Sequence, residues 1–441
     1  LTKSESINTK INFRGKTFKK FLFNTSWLFV EKVLRLVINL IVGIYVVRYL
    51  GAVNNGMLAY ALSVVGILAA FSTIGLGGVV VRELLKDEEN SDSILGTSFY
   101  LKFFSSIFLF TFVLIYYLTK SDLQNLLLLI ISASIIFRSF DIIESYFQSK
   151  VLSKYPVYSK SISVLLTDFG KVVLILYKAP LIYFGVVSFA EIFLLAIGYL
   201  IIFKNHGMNI FQWKFKINIA KSLLRDSWPL MFSTVAVTIY MRVDKILLKG
   251  MMGDAAVGIY DAAVRLCEGW YFIPAIITSS LFPAIVTAKK MSEKLYHSRL
   301  QKLYDLMAWL SILIAIPITI FSSHIINFLY GAEFINAASV LTIYIWAGIP
   351  VFLGAATSQY LITENYTKIS FVRTLTGMII NIGLNIILIP IYGIKGAAIA
   401  TLISYTAATF FILFIPKTRK QIGMMIKSIF FINLFHIKFK R

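Results

Sequence analysis

Between Ser26 and Val47 the chain reads SWLFVEKVLRLVINLIVGIYVV, a run long and apolar enough to cross a bilayer that nevertheless carries Glu31, Lys32 and Arg35. Each such charge costs about 2.5–3.5 kcal/mol at the bilayer centre on insertion scales. On a helix Glu31, Lys32, Arg35 and Asn39 share one arc of surface, and Glu31 precedes Arg35 by one turn, the order that favours a pair. Later apolar runs repeat the pattern. One holds Arg138, Asp141 and Glu144 at helical spacing, the next Asp168 and Lys171, and a third Glu191. Further on come Arg242, Asp244 and Lys245, then Asp261, Arg265 and Glu268, with Lys102 and Arg373 shallower in their own runs.

Two kinds of chemistry suit residues of these types. Each acid can neutralise a neighbouring base and stitch helices together, which for any single pair is as good an account as ligand contact. As a set, too many charges at too many depths would be buried unless they faced water, so a water-filled cavity follows. With bases in excess, that cavity suits a phosphate-bearing substrate, which arginine grips through two parallel hydrogen bonds. The expected substrate contacts are therefore Arg35, Lys102, Arg138, Lys171, Arg242, Lys245, Arg265 and Arg373. The expected counter-ions or coupling groups are Glu31, Asp141, Asp168, Glu191, Asp244, Asp261 and Glu268. Among these, Asp168, Glu191 and Glu268 are placed to titrate with a coupled H+ or Na+.

Other chemistries find little support. Cys267 is the only cysteine, so no intramolecular disulfide or cysteine-based metal site is expected, and His206, His297, His324 and His436 make no ligand spacing. No glycine-rich loop ending in GKS or GKT is present, which argues against direct ATP hydrolysis. No cofactor is expected. The net charge of +22 would suggest nucleic-acid binding in a soluble protein. In a chain that is 58% hydrophobic, with mean hydropathy +0.79, basic loops that set membrane orientation explain it better, and no nucleic-acid partner is expected.

The elements that must position these charges are helices. Apolar segments near the spanning length of about 20 residues fall at 25–48, 57–81, 97–119, 122–148, 158–177, 181–203, 227–249, 255–287, 303–322, 336–362, 367–389 and 395–415. The reading is an all-α polytopic membrane protein of about twelve transmembrane helices. Lysine and arginine crowd the N-terminal tail, the even-numbered loops and the C-terminal tail, whereas odd-numbered loops carry single bases such as Arg48, Lys120, Lys178, Lys249 and Lys395. Both termini are accordingly expected on the cytoplasmic side. The N-terminal tail is polar and basic to Asn24 and leads into a full-length span, unlike the short apolar core and small-residue cleavage site of a signal peptide.

The halves echo each other. YLGAVNNGM (49–57) and MMGDAAVGI (251–259) place Gly51 and Gly56, and Gly253 and Gly258, at one spacing. Gly185 and Ser188 are matched more faintly by Gly393 and Gly396. Six spans per half make the repeat parallel, about an axis along the membrane normal, and two six-helix lobes leave a central cavity between them. The expected division is 1–203 as N-lobe, 204–222 as interfacial linker, 223–416 as C-lobe and 417–441 as basic cytoplasmic tail. In the linker Phe211, Trp213, Phe215 and Ile217 alternate with polar residues, which predicts an extended strip with one apolar face. In the tail, Ile422 to Phe435 reads as an interfacial helix.

From about Thr25 to Pro416, and most sharply over 223–287, the chain resembles a known family. LLRDSWPLM (223–231), IYMRVDKI (239–246), GDAAVGIYDAAVRL (253–266), WYFIPAII (270–277) and SSLFPAI (279–285) are similar to the O-antigen or lipid-linked oligosaccharide flippases. These form the polysaccharide-exporter branch of the multidrug/oligosaccharidyl-lipid/polysaccharide exporter superfamily. The resemblance implies lobes that alternate between inward-open and outward-open forms in a bacterial inner membrane. Its implied cargo is an oligosaccharide repeat unit on undecaprenyl diphosphate, with membrane lipid, a polysaccharide polymerase and a chain-length regulator as partners. Carried onto this chain, Asp226 and Ser227 open the seventh helix, Arg242 and Asp244 match its polar pair, and Asp261 and Arg265 match polar positions of the eighth.

Three rivals remain beside it. A multidrug or metabolite antiporter on the same scaffold predicts an apolar or acidic cavity. A lipid II flippase usually has two further spans. A membrane polymerase or glycosyltransferase needs a large outer loop with paired acids, and the longest here, near Ser322 to Ile335, offers only Glu333. The expected protein is a transporter rather than an enzyme.

Overall fold

The computed structural model describes residues 3–430, with side chains from Val33 onward apart from Thr367. Helices and their connections make up these residues, and no strand occurs among them. The first half contains α1 (Lys3–Ser72), α2 (Leu76–Lys86), α3 (Ser91–Thr119), α4 (Leu123–Ser132), α5 (Ser134–Phe137), α6 (Ile142–Ser149), α7 (Lys154–Leu176) and α8 (Leu181–Asn205). The second contains α9 (Ile217–Met252), α10 (Asp254–Glu268), α11 (Phe272–Met291), α12 (Glu293–Tyr330), α13 (Ala337–Tyr344), α14 (Gly348–Thr363), α15 (Thr367–Tyr392), α16 (Ile394–Phe410) and α17 (Arg419–Ile429).

Nine segments among the described residues are each long and apolar enough to cross a membrane. The first of them, Val33–Lys86, comprises two spans that meet at Gly51. Helices α7 and α9 complete the predicted twelve, their apolar character diluted by Asp168 and Lys171 and by Arg242, Asp244 and Lys245. Large apolar side chains lie exposed along the outward helix faces, among them Phe108 and Phe112 of α3, Phe169 of α7, Leu313 of α12 and Ile379 of α15. In water such a surface would aggregate; in hydrocarbon it is the expected exterior. Each half has a packed cluster of its own, and a further cluster joins Val47, Ala52 and Ala59 of the first half to Val257, Tyr260 and Phe334 of the second. Val65, Leu127, Ile135 and Phe184 centre one cluster of the first half, and Tyr304, Met307, Phe352 and Met425 one of the second.

The sequence repeat has a direct structural counterpart. Gly51 (φ 71°, ψ 176°) and Gly253 (φ 84°, ψ −174°) adopt matching left-handed conformations that a β-carbon disfavours. Just beyond them the two halves touch backbone to backbone. A β-carbon on Gly56 would lie 1.8 Å from the Asp254 carbonyl oxygen, and one on Gly258 would lie 1.8 Å from that of Ala52. The contact is reciprocal, as a two-fold relation requires. Asn55 donates to the Gly258 carbonyl at 3.0 Å, and the Glu333 carboxylate accepts from the Ala52 amide at 2.7 Å. This glycine-hinged end is therefore shut. At the opposite, basic end Arg82 pairs with Asp226 across the halves, and a β-carbon on Gly75 would meet the Ser227 carbonyl at 2.6 Å.

The linker is extended only in part. A short 3-10 turn spans Ile210–Gln212, after which the backbone amide of Lys216 donates to Thr97 at 3.0 Å. Trp213 turns inward against Phe99 and Phe203, while Phe211 and Phe215 stay exposed, so alternation does not yield a single apolar face. Helix α17 docks on α12, with Gln301 bonded to the Met424 carbonyl at 3.0 Å and Ser428 to Asp305 at 2.6 Å. The remainder of the predicted tail helix, to Phe435, lies outside the described residues.

Candidate functional site

Between the halves lies a cavity of about 330 Å³. Helix α1 contributes Gly66, Ala69 and Ala70, the turn after it Thr73, α9 contributes Thr234, Thr238, Met241, Arg242 and Lys245, and Glu268 closes one side from the end of α10. Arg138 enters from a 3-10 turn, Arg138–Asp141, that interrupts the predicted fourth span between α5 and α6. The small residues of α1 explain the room. A β-carbon at Gly66 would strike the Arg242 guanidinium at 2.8 Å, so glycine lets that side chain pass along α1, where Nη1 donates to the Leu62 carbonyl at 3.5 Å.

The predicted charges fall into two kinds, and of them Arg138, Arg242, Lys245 and Glu268 line this cavity. Lys102 pairs with Asp141. Lys171 binds Asp168 at 2.8 Å and Glu191 at 3.8 Å. Lys245 reaches Asp261 at 2.6 Å, whose other oxygen takes Arg265 at 3.1 Å. These four bases of the predicted contact set are thus engaged by four of the predicted counter-ions. By contrast, no carboxylate among the described residues lies within ion-pair distance of Arg138, Arg242 or Arg373. Arg35 bonds Ser161 at 3.4 Å; its expected partner Glu31 lies outside the described side chains. Arg138 and Arg242 come from different halves and face the same cavity. Arg373 sits apart, within the second half.

The remaining acids are held by hydroxyls. Asp244 accepts from the Tyr260 hydroxyl and from the Lys245 amide at 2.8 Å. Glu268 accepts from Tyr344 at 3.4 Å. Around Tyr260 a buried polar chain continues through Thr401 (3.5 Å) to Asn381 (3.4 Å) and from Asn381 to Ser404 (3.1 Å). Sequence reasoning assigned no role to Lys160, which binds Glu144 at 2.6 Å, or to Tyr199, which donates to the same carboxylate at 3.1 Å. Their signal was present, since Glu144 needed a base and Lys160 stands in the adjoining span. Nor did it single out Thr73, Thr234 and Thr238, which reveal themselves only when two halves face each other.

A larger hollow of about 690 Å³ opens on the flank of α9 and α15. Trp228, Phe232, Ile239, Phe371 and Leu375 line it, with Lys368 its one charged group. The arrangement as a whole can bind an anion between two lobes through converging guanidinium groups, and can lay an apolar chain along one flank.

Known proteins resemble this chain in sequence and in fold. Residues 21–289 match the polysaccharide biosynthesis protein family, and residues 255–438 match the lipid II flippase MurJ family. An uncharacterized membrane protein of Methanocaldococcus jannaschii is 30% identical over 216 residues, which cover 46% of this chain and 47% of that protein. The probable low-salt glycan biosynthesis flippase Agl15 of Haloferax volcanii is 26% identical over 194 residues, covering 43% of this chain and 40% of that one. In both cases the chain matches less than half the length of the curated relative. Among solved structures, the lipid II flippase MurJ in an inward closed conformation has a TM-score of 0.71 at 19% identity, covering 94% of this chain and 93% of that one. At that identity the likeness speaks for the fold.

Proposed function

The chain belongs to the polysaccharide biosynthesis protein family, and from that premise we propose that it flips a lipid-linked oligosaccharide across a membrane by alternating access. One observation carries the reading: Arg138 and Arg242, one from each lobe, face a shared cavity with no carboxylate in pairing range among the described residues. A guanidinium in a low-dielectric interior is costly without a counter-charge. A diphosphate supplies that charge and matches the planar donor fork. The finer assignment is undecaprenyl diphosphate as carrier, in a bacterial inner membrane, with both termini cytoplasmic and an O-antigen-like repeat unit as cargo.

The mechanism follows from what can and cannot cross hydrocarbon. Sugars and diphosphate need a polar path, whereas the polyprenyl tail remains in lipid throughout. With the headgroup seated between the arginines, the two lobes rock about it. Separation of the Gly56–Gly258 contact, with release of Ala52 from Glu333, opens the glycine-hinged end. Parting of Arg82 from Asp226 opens the basic end. Lys102, Lys171, Lys245 and Arg265 position the lobes through their acids rather than gripping cargo. Energy comes from ion coupling by H+ or Na+ at acids such as Asp168, Glu191 or Glu268, or from downstream consumption of the product by a polymerase and its chain-length regulator. A cationic multidrug cargo is disfavoured, because two unpaired guanidinium groups, Arg138 and Arg242, outnumber the one unpaired carboxylate of the cavity, Glu268, among the described residues.

Complementation tests this reading. In cells lacking their own exporter, the wild-type chain restores surface polysaccharide, and Arg138→Gln or Arg242→Gln abolishes it while the protein stays inserted. Undiminished polysaccharide with both changes together would contradict it.

A further inference from the structure

Within the C-lobe a second cavity of about 270 Å³ adjoins the first, the two sharing Met241 as a common wall. Arg373 of α15 lines it. One guanidinium nitrogen, Nη2, donates to Ser358 Oγ at 2.7 Å and to the Gly354 carbonyl at 3.4 Å. The other, Nη1, is buried without a hydrogen-bond partner, and no carboxylate among the described residues is in pairing range. The Tyr271 hydroxyl on the cavity wall is likewise buried without a partner. A buried half-satisfied guanidinium is expensive unless something that enters the cavity completes it.

The rest of the wall indicates what enters. Tyr240 and Tyr405 present a tilted ring pair with centroids 4.5 Å apart, and Thr374 and Thr409 add hydroxyls. Tyrosine faces and hydroxyls suit the apolar and polar faces of a sugar ring, and a single arginine fork suits one carboxylate. The diphosphate fits the interlobe cavity better, where cations converge from both halves.

We propose that this C-lobe cavity is a sugar subsite that selects glycans bearing an acidic residue, a uronic acid, whose carboxylate is taken by Arg373. The inference rests on the reading of the chain as a lipid-linked glycan transporter and names the chemistry of its cargo. Arg373 here determines specificity, and the arginines of the interlobe cavity hold the carrier.

The test uses the full chain in lipid nanodiscs, titrated with an oligogalacturonate and with the matching neutral oligogalactose, followed by saturation-transfer NMR. Neither probe carries lipid or phosphate, so the result is separate from whether the protein flips anything. The wild type should bind the acidic probe about tenfold more tightly, as one charge-assisted fork allows. Arg373→Met should erase that preference, and Lys204→Gln, at the exposed end of α8, should leave it. Absence of preference in the wild type, its survival in Arg373→Met, or its loss in Lys204→Gln would each overturn the proposal. Should Arg373→Met fail to fold, Ala355→Leu narrows the same cavity with the charge intact, and unchanged binding in that variant overturns it too. A wild type that binds the acidic probe yet moves no polyprenyl-linked glycan in liposomes would instead sink the flippase reading.

Discussion

Two charge clusters, one in each half of the molecule, are held in opposite ways. In the first half Asp141 and Glu144 keep 36% and 37% of their side-chain surface open, and their lysine partners come from other helices. In the second half Asp261 retains 5% and Lys245 10%, and one carboxylate serves two bases. A buried pair is weak evidence of net stabilisation, but its members cannot be removed singly without cost. The Glu144–Lys160 pair, open on both sides, is cheap to break and free to rearrange, whereas the lysine of the Asp141 pair is buried. The difference implies that the Asp261 cluster is a rigid keystone and the Glu144–Lys160 pair an adjustable lining, while Asp168 and Lys171 give the first half a buried pair of its own.

Substitutions can break or sharpen that contrast. The largest effect is expected for Asp261→Ala, which strands Lys245 and Arg265 together; the fold should lose about 3–5 kcal/mol, read as a lowered unfolding midpoint in detergent. An unchanged midpoint would mean that the cluster is hydrated and the contrast false. Next, Arg138→Gln or Arg242→Gln should weaken binding of a polyprenyl diphosphate probe roughly tenfold each, with thermal stability unchanged or raised because no counter-ion is orphaned. A drop in stability comparable to that of Asp261→Ala would reclassify these arginines as structural. Smallest, Glu144→Gln should cost no more than about 1 kcal/mol, since Lys160 remains partly solvated and the buried Tyr199 can donate to the amide oxygen; chemical denaturation measures it. A loss of several kcal/mol would show the N-lobe to be as tightly keyed as its partner.

Much of the architecture was legible in the chain. Hydropathy and the matched glycines foretold the spans and the two-fold relation, because bilayer thickness fixes helix length and a backbone crossing leaves no room for a β-carbon. Spacing within one helix was less informative about charges. Arg138, Asp141 and Glu144 read as one face, yet a 3-10 turn breaks their helix, and Asp141 and Glu144 find bases on α3 and α7. Arg242, Asp244 and Lys245 stand within four positions, but only Arg242 lacks a carboxylate in range, a distinction set by Asp261 one helix away. Periodicity reports direction; partner choice belongs to packing between helices. The linker shows the same limit, where aromatic contacts with Phe99 and Phe203 drew Trp213 inward against the pattern.

The cationic cavity is tested most directly by transport in proteoliposomes carrying a fluorescent polyprenyl diphosphate oligosaccharide, with the wild type compared against the Arg138→Gln/Arg242→Gln double variant. Transbilayer movement by the wild type, reduced to the protein-free background in a double variant that remains folded, is the expected result. Movement at the wild-type rate without either arginine would contradict the account.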